Sequence, residues 1–461
     1  MATKEAQESV SAHDPDLHPP KHQNIFTRIR HEPWFQIVLV SFIAFCNPGM
    51  YNALTGMGGS GQVDSTTSAN SNVATHACTA GAALLLGSFY KYLGPRLSLL
   101  IGGWTYALYA GALLNSDRTT NGSPFVIAAG AILGLGAAFF WVAQGTIMVT
   151  YTNDNTRGRA IGIFWVIFNL GATIGSLASF GLNYHSKSGT VTDSTYVAYI
   201  VVMLFGWLLS VFICSTEHLS DHYHGNRINQ DSKAINWTNL KRTAVETLQI
   251  VFNWKNMCLY PMFYTANVFY SYQQNAVNGM TFNLRTRALN GALYWIAQMV
   301  GGLLMGSILD LQIFNRRTRA KIGWSILFVT GMAIWGGGYS FQVWDNLRLK
   351  QGLKQDIDYK AGSEYLGPMF LYFFYGAYDS FWQSFCYWIM GARSRDPVVN
   401  AVIVGAYSAL KPAGGAMAWR INAEGISAMT QFAMNWGLTT GSLLIAIPTV
   451  LCIEREGSDL T

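Results

Sequence analysis

Residues 124–150 read PFVIAAGAILGLGAAFFWVAQGTIMVT, and this stretch contains no charged side chain. About 20 consecutive apolar residues are enough for a helix to cross the hydrocarbon core of a bilayer. β-Strands are far shorter and alternate apolar with polar residues, which this stretch does not do. It therefore predicts a transmembrane α-helix.

Outward from this stretch, the chain alternates long apolar runs with short polar ones from Trp34 onward. The runs predict an all-α membrane protein with twelve transmembrane helices. Their predicted bounds are 34–57, 71–90, 97–114, 124–150, 160–183, 196–215, 257–279, 288–309, 324–344, 366–391, 400–420 and 430–452. The eleventh run is the least regular, because Lys411, Pro412 and Arg420 interrupt it.

The composition agrees with a membrane protein and excludes several other classes. Hydrophobic residues make up 51% of the 461 residues and charged residues only 12%, whereas soluble domains average about 25% charged residues. An ordinary cytosolic enzyme, a disordered chain and a collagen are therefore excluded. The lipid bilayer is the expected partner. The places where the basic residues fall along the chain explain the net charge of +6 better than nucleic-acid binding does. No nucleic-acid partner is therefore expected.

The longest connection, residues 216–256, follows the sixth run and divides the chain into two six-helix halves. The predicted organisation is a disordered tail (1–33), an N-terminal bundle (34–215), a linker loop (216–256), a C-terminal bundle (257–452) and a second tail (453–461). Of the 30 Lys and Arg residues, 20 fall on the side of the two tails and 8 on the opposite side. Since cytoplasmic loops carry the excess of basic residues, both tails and the linker are expected in the cytoplasm.

The two halves carry a faint repeat at matching places. Residues 87–96 read Gly-Ser-Phe-Tyr-Lys-Tyr-Leu-Gly-Pro-Arg, and residues 306–310 read Gly-Ser-Ile-Leu-Asp, followed by Arg316. Each copy has a glycine four residues before a charge, at the end of the second helix of its half. This resembles the loop signature of the major facilitator superfamily, whose transporters are built from two parallel six-helix repeats. The first copy departs from the signature, because Lys91 stands where aspartate is expected.

The signature implies a conformational role for one set of residues, to which a proline in the first run is added. The set is Gly87, Gly94, Arg96, Gly306, Asp310, Arg316 and Pro48. Pro48 follows Asn47 and precedes Gly49, and a proline inside a helix removes a backbone donor, which predicts a kink or a short unwound stretch. The alternative for each loop copy is a basic cytoplasmic loop with a packing glycine, and a purely structural kink is equally compatible with Pro48.

A closer resemblance covers most of residues 34–452. Residues 134–146 read Gly-Leu-Gly-Ala-Ala-Phe-Phe-Trp-Val-Ala-Gln-Gly-Thr, residues 156–159 read Thr-Arg-Gly-Arg, and residues 407–420 end in Ala-Trp-Arg. These motifs are similar to those of the uncoordinated-93-like branch of the major facilitator superfamily. The resemblance implies a twelve-helix fold. Members of this family are variously regarded as ion-channel regulators, as trafficking partners of other membrane proteins and as transporters.

Two charged residues lie deep in predicted spans. Among the acids only Asp379 does so, and among the bases only Lys411. Each is roughly a dozen residues from the cytoplasmic end of its helix, or about 17 Å at 1.5 Å per residue, which is near the midplane. A lone charge there costs several kcal/mol, so we expect the two to form an ion pair. The pair either locks two helices together or handles a substrate or a proton.

Polar side chains recur at helical spacing in several spans and predict a substrate or ion pathway. Besides Asp379 and Lys411, the predicted pathway residues are Asn267, Ser271, Gln274, Tyr264, Tyr375, Gln383, Asn169, Gln144 and Asn47. Polar groups at membrane depth must face protein or water. Hydrogen bonding between helices would explain a single stripe, whereas stripes on the fifth, seventh and tenth helices favour a central polar cavity.

The sequence favours a transporter of the major facilitator type that moves a small polar or charged solute by alternating access. The alternative is a non-transporting scaffold that binds or escorts a membrane-protein client. An enzyme is not expected, because no nucleophile, base and orienting acid occur together. No cofactor is expected. The six cysteines show no CxxC spacing, so neither a disulfide framework nor a metal site is expected.

Overall fold

The computed structural model describes residues 29–57, 65–116, 122–152, 156–182, 184, 192–214, 245, 247–394 and 397–453. These residues are almost entirely helical, and their only β feature is an isolated bridge between Phe282 and Ile357. Most of the two predicted tails and most of the predicted linker at 216–256 lie outside the described residues.

The N-terminal half contains six membrane-crossing segments within the described residues, which we number α1 to α6. They are α1 (Pro33–Gly56), α2 and α3 (the parts of Ser65–Ser116 before and after Gly94), α4 (Ser123–Thr150), α5 (Arg157–Leu182) and α6 (Asp193–Leu209). The side chain of Arg30 donates to the carbonyl of Phe212 over 3.0 Å, so α1 begins beside the end of α6.

The C-terminal half contains the other six segments of the described chain. They are α7 (254–279), α8 (Leu284–Leu309), α9 (Arg316–Lys350), α10 (Ser363–Arg393), α11 (Pro397–Ala423) and α12 (Ala428–Leu451). The twelve-helix prediction is thereby confirmed. We call the face of the bundle that holds residues 29 and 453 the termini face, and the face that holds the 351–362 loop the distal face.

Eight of the described helices are long and apolar enough to cross a membrane by length and composition. The four segments that do not meet this measure are α2, α7, α10 and α11. Of these, α2 and α7 are rich in Asn, Gln, Thr and Tyr, and Asp379 and Lys411 interrupt α10 and α11. Large apolar side chains on the outside of the bundle remain exposed, such as Val201 and Val329. An apolar exterior with polar segments inside is the arrangement that a bilayer requires.

Three departures from regular helix shape the bundle. Gly94 has φ +70°, which is a left-handed conformation that glycine adopts without strain, and it separates α2 from α3. The expected break at Pro48 takes the form of a π-helical turn over Phe45–Gly49. In α7, short α-helical turns give way to a π-helix over Tyr272–Gly279. π-Helical turns are frequently found at functional sites.

Hydroxyl side chains tie α2 to α4 inside the N-terminal half. Ser71, Thr75 and Thr79 lie one turn apart on α2, and their hydroxyls are 3.1, 2.9 and 2.9 Å from the carbonyl oxygens of three α4 residues, Val126, Gly130 and Gly134. The glycines let the two backbones approach closely. We call this set of contacts the hydroxyl ladder.

The two halves meet along α5 and α8, where the backbones also come close together. A methyl group added at Gly306 would lie 2.6 Å from the carbonyl oxygen of Gly158, and one added at Gly302 would lie 2.8 Å from the Cβ of Trp165. Helices α2 and α11 form a second contact, in which the ring of His76 lies beside Gly415. The space between these two contacts is the centre of the bundle.

Candidate functional site: a cavity between the two halves

A cavity at the centre of the bundle contains about 1020 Å³ of space that atoms do not occupy, including the part that is open to solvent. The N-terminal half contributes side chains from α1 to α5 and the C-terminal half contributes side chains from α7, α10 and α11. The wall combines aromatic rings, such as those of Trp141 and Tyr407, with polar groups, such as those of Asn72 and Asn267. This mixture can hold a small solute in a space that both halves shape.

Lys411 enters the cavity from α11, and Pro412 beside it also lines the cavity. Its ammonium group donates to the side-chain oxygen of Gln383 over 3.2 Å. The same ammonium lies 5.6 Å from the ring centres of both Trp141 and Tyr407, at distances where a cation is attracted to an aromatic face. Because Trp141 belongs to α4, this contact joins the two halves.

Asp379 is fully buried behind the cavity wall, on α10. Its carboxylate accepts hydrogen bonds from the side chain of Gln298 over 2.6 Å and from Gln383 over 3.1 Å, and the hydroxyl of Tyr270 also donates to it. Tyr270 itself lines the cavity. Several donors to a buried carboxylate replace the water it has lost, so the ring of Tyr270 connects the cavity to this acid.

The expected direct ion pair between Asp379 and Lys411 is absent from the described structure. Gln383 lies between them, with its amide nitrogen donating to Asp379 and its amide oxygen accepting from Lys411 and from Tyr407. The prediction was wrong because the donors to Asp379 come largely from α7 and α8, and these donors hold the carboxylate away from α11. The two charges are joined through one amide.

The polar stripe on α7 is only partly directed toward the cavity. Asn267 and Gln274 line it, as does Tyr270, which the sequence analysis did not select. Tyr264 instead places its hydroxyl 3.2 Å from the sulfur of Met417, and Ser271 is buried away from the cavity. The expected single arc assumed a regular α-helix, whereas α7 is interrupted between its short α-helical turns Tyr260–Thr265 and Phe269–Ser271 and continues as a π-helix over Tyr272–Gly279, and both departures change the angle between successive side chains.

The remaining predicted pathway residues occupy different places in the bundle. The side-chain nitrogen of Asn47 lies beside Gly206 of α6 and donates to the carbonyl of Ile43 in its own helix, and Asn169 likewise donates to the carbonyl of Trp165. Tyr375 packs in an aromatic cluster within the C-terminal half, with Trp335 as a neighbour. None of the three lines the cavity as described.

Gln144 lies beneath the cavity on the side of the termini face. Its side-chain oxygen accepts from the hydroxyl of Tyr387, a residue of α10 that lines the cavity, over 3.2 Å. This hydrogen bond crosses between the halves. Gln144 therefore belongs to the closure of the cavity rather than to its wall.

Asp310 connects the halves at the termini face. Its carboxylate oxygens accept from the backbone N–H groups of Gly158 over 3.0 Å and of Arg159 over 2.7 Å, in the first turn of α5. These N–H groups have no partner within their own helix, and the helix dipole favours a negative charge there. Burial raises the pKa of Asp310, and the two backbone hydrogen bonds partly oppose this effect. Asp310 therefore acts as a cap supplied by the opposite half.

The other residues with a predicted conformational role lie in different surroundings. Gly306 permits the backbone approach beside Asp310, and Pro48 belongs to the π-helical turn and lines the cavity. Arg316 is buried in the first turn of α9, whereas Arg96 is exposed. Gly87 lies within α2.

Contacts at the distal face also join the halves. The side chain of Asn278 on α7 donates to the carbonyl of Gly56 on α1 over 3.0 Å. The hydroxyls of Tyr184 and Tyr359 lie 3.1 Å apart across the interface. Arg285 lies over both tyrosine rings and donates to Asp358 over 2.6 Å. Burial acts to raise the pKa of Asp358, but hydrogen bonds from Arg285 and Asn283 outweigh it and lower that pKa below its usual value.

Sequence reasoning missed three residues around this site: Tyr270, Gln298 and His76. Tyr270 stands three residues after Asn267 and four before Gln274, so the spacing of the stripe contained it. A lone glutamine or histidine in an apolar run, as in α8 and α2, is a visible signal that a polar group has a specific use. What the sequence lacks is any indication that α7 and α8 supply the donors to an acid on α10.

Comparison with protein families supports this architecture. The model of the Major Facilitator Superfamily matches residues 37–418. UNC93-like protein 1 of Arabidopsis thaliana is 38% identical over 431 residues, which cover 93% of this chain and 92% of that protein. An UNC93-like protein of Schizosaccharomyces pombe is 38% identical over 419 residues, which cover 90% of this chain and 81% of that protein.

Two solved structures share the fold at low sequence identity. The proton:xylose symporter XylE, bound to 6-bromo-6-deoxy-D-glucose, matches with a TM-score of 0.61 and 10% identity, over 94% of this chain and 96% of that one. The transporter FucP in its outward conformation matches with a TM-score of 0.59 and 9% identity, over 91% of this chain and 97% of that one. At this identity the likeness concerns the arrangement of helices alone.

Proposed function

We propose that this protein, which belongs to the UNC93-like branch of the major facilitator superfamily, moves a small polar or charged solute across a membrane by alternating access. The observation that carries the proposal is the central cavity, whose wall is shared between the two halves and contains polar groups at membrane depth. Polar surface of this kind is costly in a bilayer unless it lines a cavity or is buried in protein.

The contacts between the halves supply the two gates that alternating access needs. At the termini face the gate consists of two sets of hydrogen bonds, one from the first turn of α5 to Asp310 and one from Tyr387 to Gln144. At the distal face it consists of the hydrogen bond from Asn278 to the carbonyl of Gly56 and the hydrogen bond between the hydroxyls of Tyr184 and Tyr359. Each gate rests on a few hydrogen bonds, and a typical one contributes only about 1 kcal/mol net, so a gate can open without unfolding either half.

A reversible cross-link tests whether the halves must separate. We expect a bifunctional methanethiosulfonate reagent to link Tyr184→Cys to Tyr359→Cys, because its spacer can bridge the space that the two tyrosine rings fill, and this link would hold the distal gate closed. In proteoliposomes, solute flux should stop after cross-linking and return after reduction. The matched control is the pair Tyr184→Ser and Tyr359→Ser, whose flux should not respond to the reagent. Full flux through the cross-linked protein would contradict the proposal.

The same assay separates the proposal from the alternative of a scaffold for another membrane protein. A transporter moves solute when it is purified alone, whereas an escort needs its client. The assay starts with solutes that raise the thermal stability of the purified protein, because a ligand that binds only the folded state stabilises it. Binding to the cavity without any flux would favour the scaffold.

We propose further that the termini face is cytoplasmic. The basis is the excess of Lys and Arg in the segments on that side. Lys354 on the distal face and Ile313 on the termini face are both exposed, so a cysteine introduced at either is reachable from its own side. In cells that display the protein at their surface, an impermeant thiol reagent added from outside should modify Lys354→Cys and spare Ile313→Cys, and the reverse pattern would overturn this orientation.

A further inference from the structure

The charge of the cavity wall is one-sided. Among the described residues that line the cavity, Lys411 is the one Lys or Arg, and none is Asp or Glu. The acid nearest to it along the hydrogen-bond network, Asp379, lies behind Tyr270 and already accepts hydrogen bonds from Gln298 and Gln383. A solute in the cavity therefore meets a cation directly and meets no carboxylate.

The contacts of Lys411 leave its ammonium group able to bind more. An ammonium carries three N–H donors. In the described structure the Lys411 ammonium makes one hydrogen bond, to the neutral amide oxygen of Gln383. Its other described contacts are the faces of two rings, Trp141 and Tyr407. Neither an amide oxygen nor a ring face cancels a full charge, so an anionic group that approached Lys411 would gain a charge-assisted hydrogen bond.

Two more donors belong to residues of the same wall. The ring of Trp165 lines the cavity, and its indole N–H is buried just behind the wall surface with no hydrogen-bond partner. His76 lines the cavity from α2, and its ring lies beside Gly415, one turn along α11 from Lys411. An unpaired buried donor costs free energy until an acceptor reaches it. The polar part of the wall thus matches an oxyanion better than a cation.

The rest of the wall suits a flat apolar group. On one side of the cavity Trp141 and Trp165 are each in ring contact with Phe168, and on the other Tyr387 is in ring contact with Tyr407. Aromatic faces of this kind favour stacked or edge-on contact with another ring. A small inorganic anion would leave these faces without a partner.

We propose that the cavity binds an aromatic organic monoanion, with its carboxylate at Lys411 and its ring against the aromatic wall. This inference rests on the proposed transport function, because it names the class of solute that the same cavity would move. It adds to that function a rule of charge and shape: an aromatic carboxylate is accepted, while its neutral amide and its cationic amine are rejected.

The test uses sets of ligands that differ mainly in charge. Benzoate, phenylacetate and 2-naphthoate are each compared with the corresponding amide and with the corresponding arylmethyl or phenethyl ammonium ion. Binding to the purified full-length protein is measured by thermal shift and by quenching of tryptophan fluorescence, since Trp141 and Trp165 line the cavity. We expect at least one carboxylate to bind at least about tenfold more tightly than its amide and its amine, as a charge-assisted hydrogen bond predicts.

Variants of one lysine then assign the effect to its position. Lys411→Met should weaken binding of the carboxylate at least about tenfold, and Lys411→Arg should retain part of it. The matched control is Lys350→Met, which removes an equal charge from an exposed site at the end of α9 and should change nothing. If Lys411→Met does not fold, the comparison of carboxylate, amide and amine on the unaltered protein still decides the matter.

Three results would overturn the inference: no carboxylate of the panel binds, amides or amines bind as tightly as the acids, or Lys411→Met binds the acid unchanged. Flux measurements keep this inference separate from the proposed function. Tight binding of carboxylates without flux would refute transport and retain the anion site. Flux of a cation or of a neutral solute that tolerates Lys411→Met would retain transport and refute the anion site.

Discussion

The carboxylate of Asp310 accepts a hydrogen bond of 3.0 Å from the backbone N–H of Gly158, a residue of the opposite half. A second bond, from the backbone N–H of Arg159, completes a cap on the first turn of α5. The sequence repeat indicated that this aspartate has a conformational role, and its short contacts are to backbone N–H groups, while the side chain of Arg159 lies farther away, at 3.9 Å.

We expect Asp310→Asn to weaken the closure of the termini face, because an amide keeps the shape but loses the charge that the helix dipole favours. The loss in thermal unfolding should correspond to about 1 kcal/mol. Arg159→Ala is the matched control: the Arg159 side chain is 62% exposed and its ion pair with Asp310 is long, at 3.9 Å, so its removal should cost much less. An equal cost for the two variants would mean that the ion pair, and not the cap, joins the halves.

Close packing of α2 against α4 leads to a second prediction. A methyl group added at Gly134 would overlap the carbonyl oxygen of Thr75, so Gly134→Ala should destabilise the protein by about 1–3 kcal/mol. Gly81, on the same helix as Thr75, has open space around it, and Gly81→Ala should be neutral or stabilising by up to about 1 kcal/mol. Thermal unfolding of both variants in the same detergent checks this, and similar melting temperatures would argue against the observed helix contact.

The π-helix in α7 makes a prediction about chemical access. Gln274 lines the cavity while Ser271, only three residues earlier, is buried away from it. A small water-soluble thiol reagent should therefore modify Gln274→Cys and react far more slowly with Ser271→Cys. A regular α-helix would place both positions on one face, so equal rates would show that α7 is regular.

Asp379 and Lys411 should be coupled, but weakly, because Gln383 separates them. In a double-mutant cycle of Asp379→Asn and Lys411→Met, we expect a coupling free energy of about 1–2 kcal/mol in stability, the Coulomb energy of two charges several ångströms apart. Two charges in direct contact, about 4 Å apart, would instead be coupled by about 4 kcal/mol at an effective dielectric constant of about 20. A coupling of that larger size would indicate direct contact, and simple additivity would indicate independence.

The distal gate should respond to pH through Asp358. Hydrogen bonds from Arg285 and Asn283 lower its pKa below the usual value of 3.8, so the carboxylate stabilises the folded state above that value. This contribution is lost as the pH falls through the lowered pKa. The difference in melting temperature between the unaltered protein and Asp358→Asn should thus be constant from pH 5 to 7 and shrink below about pH 4. A difference that grows in acid would contradict the pKa shift.

The fold was predictable because bilayer thickness and backbone hydrogen bonding constrain it so strongly. The uncharged run at 124–150 becomes α4, Ser123–Thr150, almost residue for residue. The depth of Asp379 and Lys411 followed from helix geometry alone. Depth does not specify rotation about a helix axis or the neighbours on other helices, and this is why the direct ion pair was expected and the bridging role of Gln383 was not.

The prediction of which α7 side chains face the cavity failed for a related reason. A helical wheel assumes a constant angle per residue, and in α7 both the interruption between Thr265 and Phe269 and the π-helix after Ser271 violate that assumption. The sequence of Tyr272–Gly279 does not indicate a π-helix, since the segment contains no proline. In α1, by contrast, Pro48 marks the π-helical turn in the sequence.

The hydroxyl ladder of Ser71, Thr75 and Thr79 has a mechanical consequence for the cavity. Three hydrogen bonds on successive turns connect α2 to α4, so we expect the two helices to move as one rigid unit. His76 belongs to α2 and Trp141 to α4, so we expect the distance between them to change little when the two halves move. The N-terminal wall then acts as a rigid surface, and the size of solute that the cavity accepts depends on how closely α11 brings Lys411 to that wall.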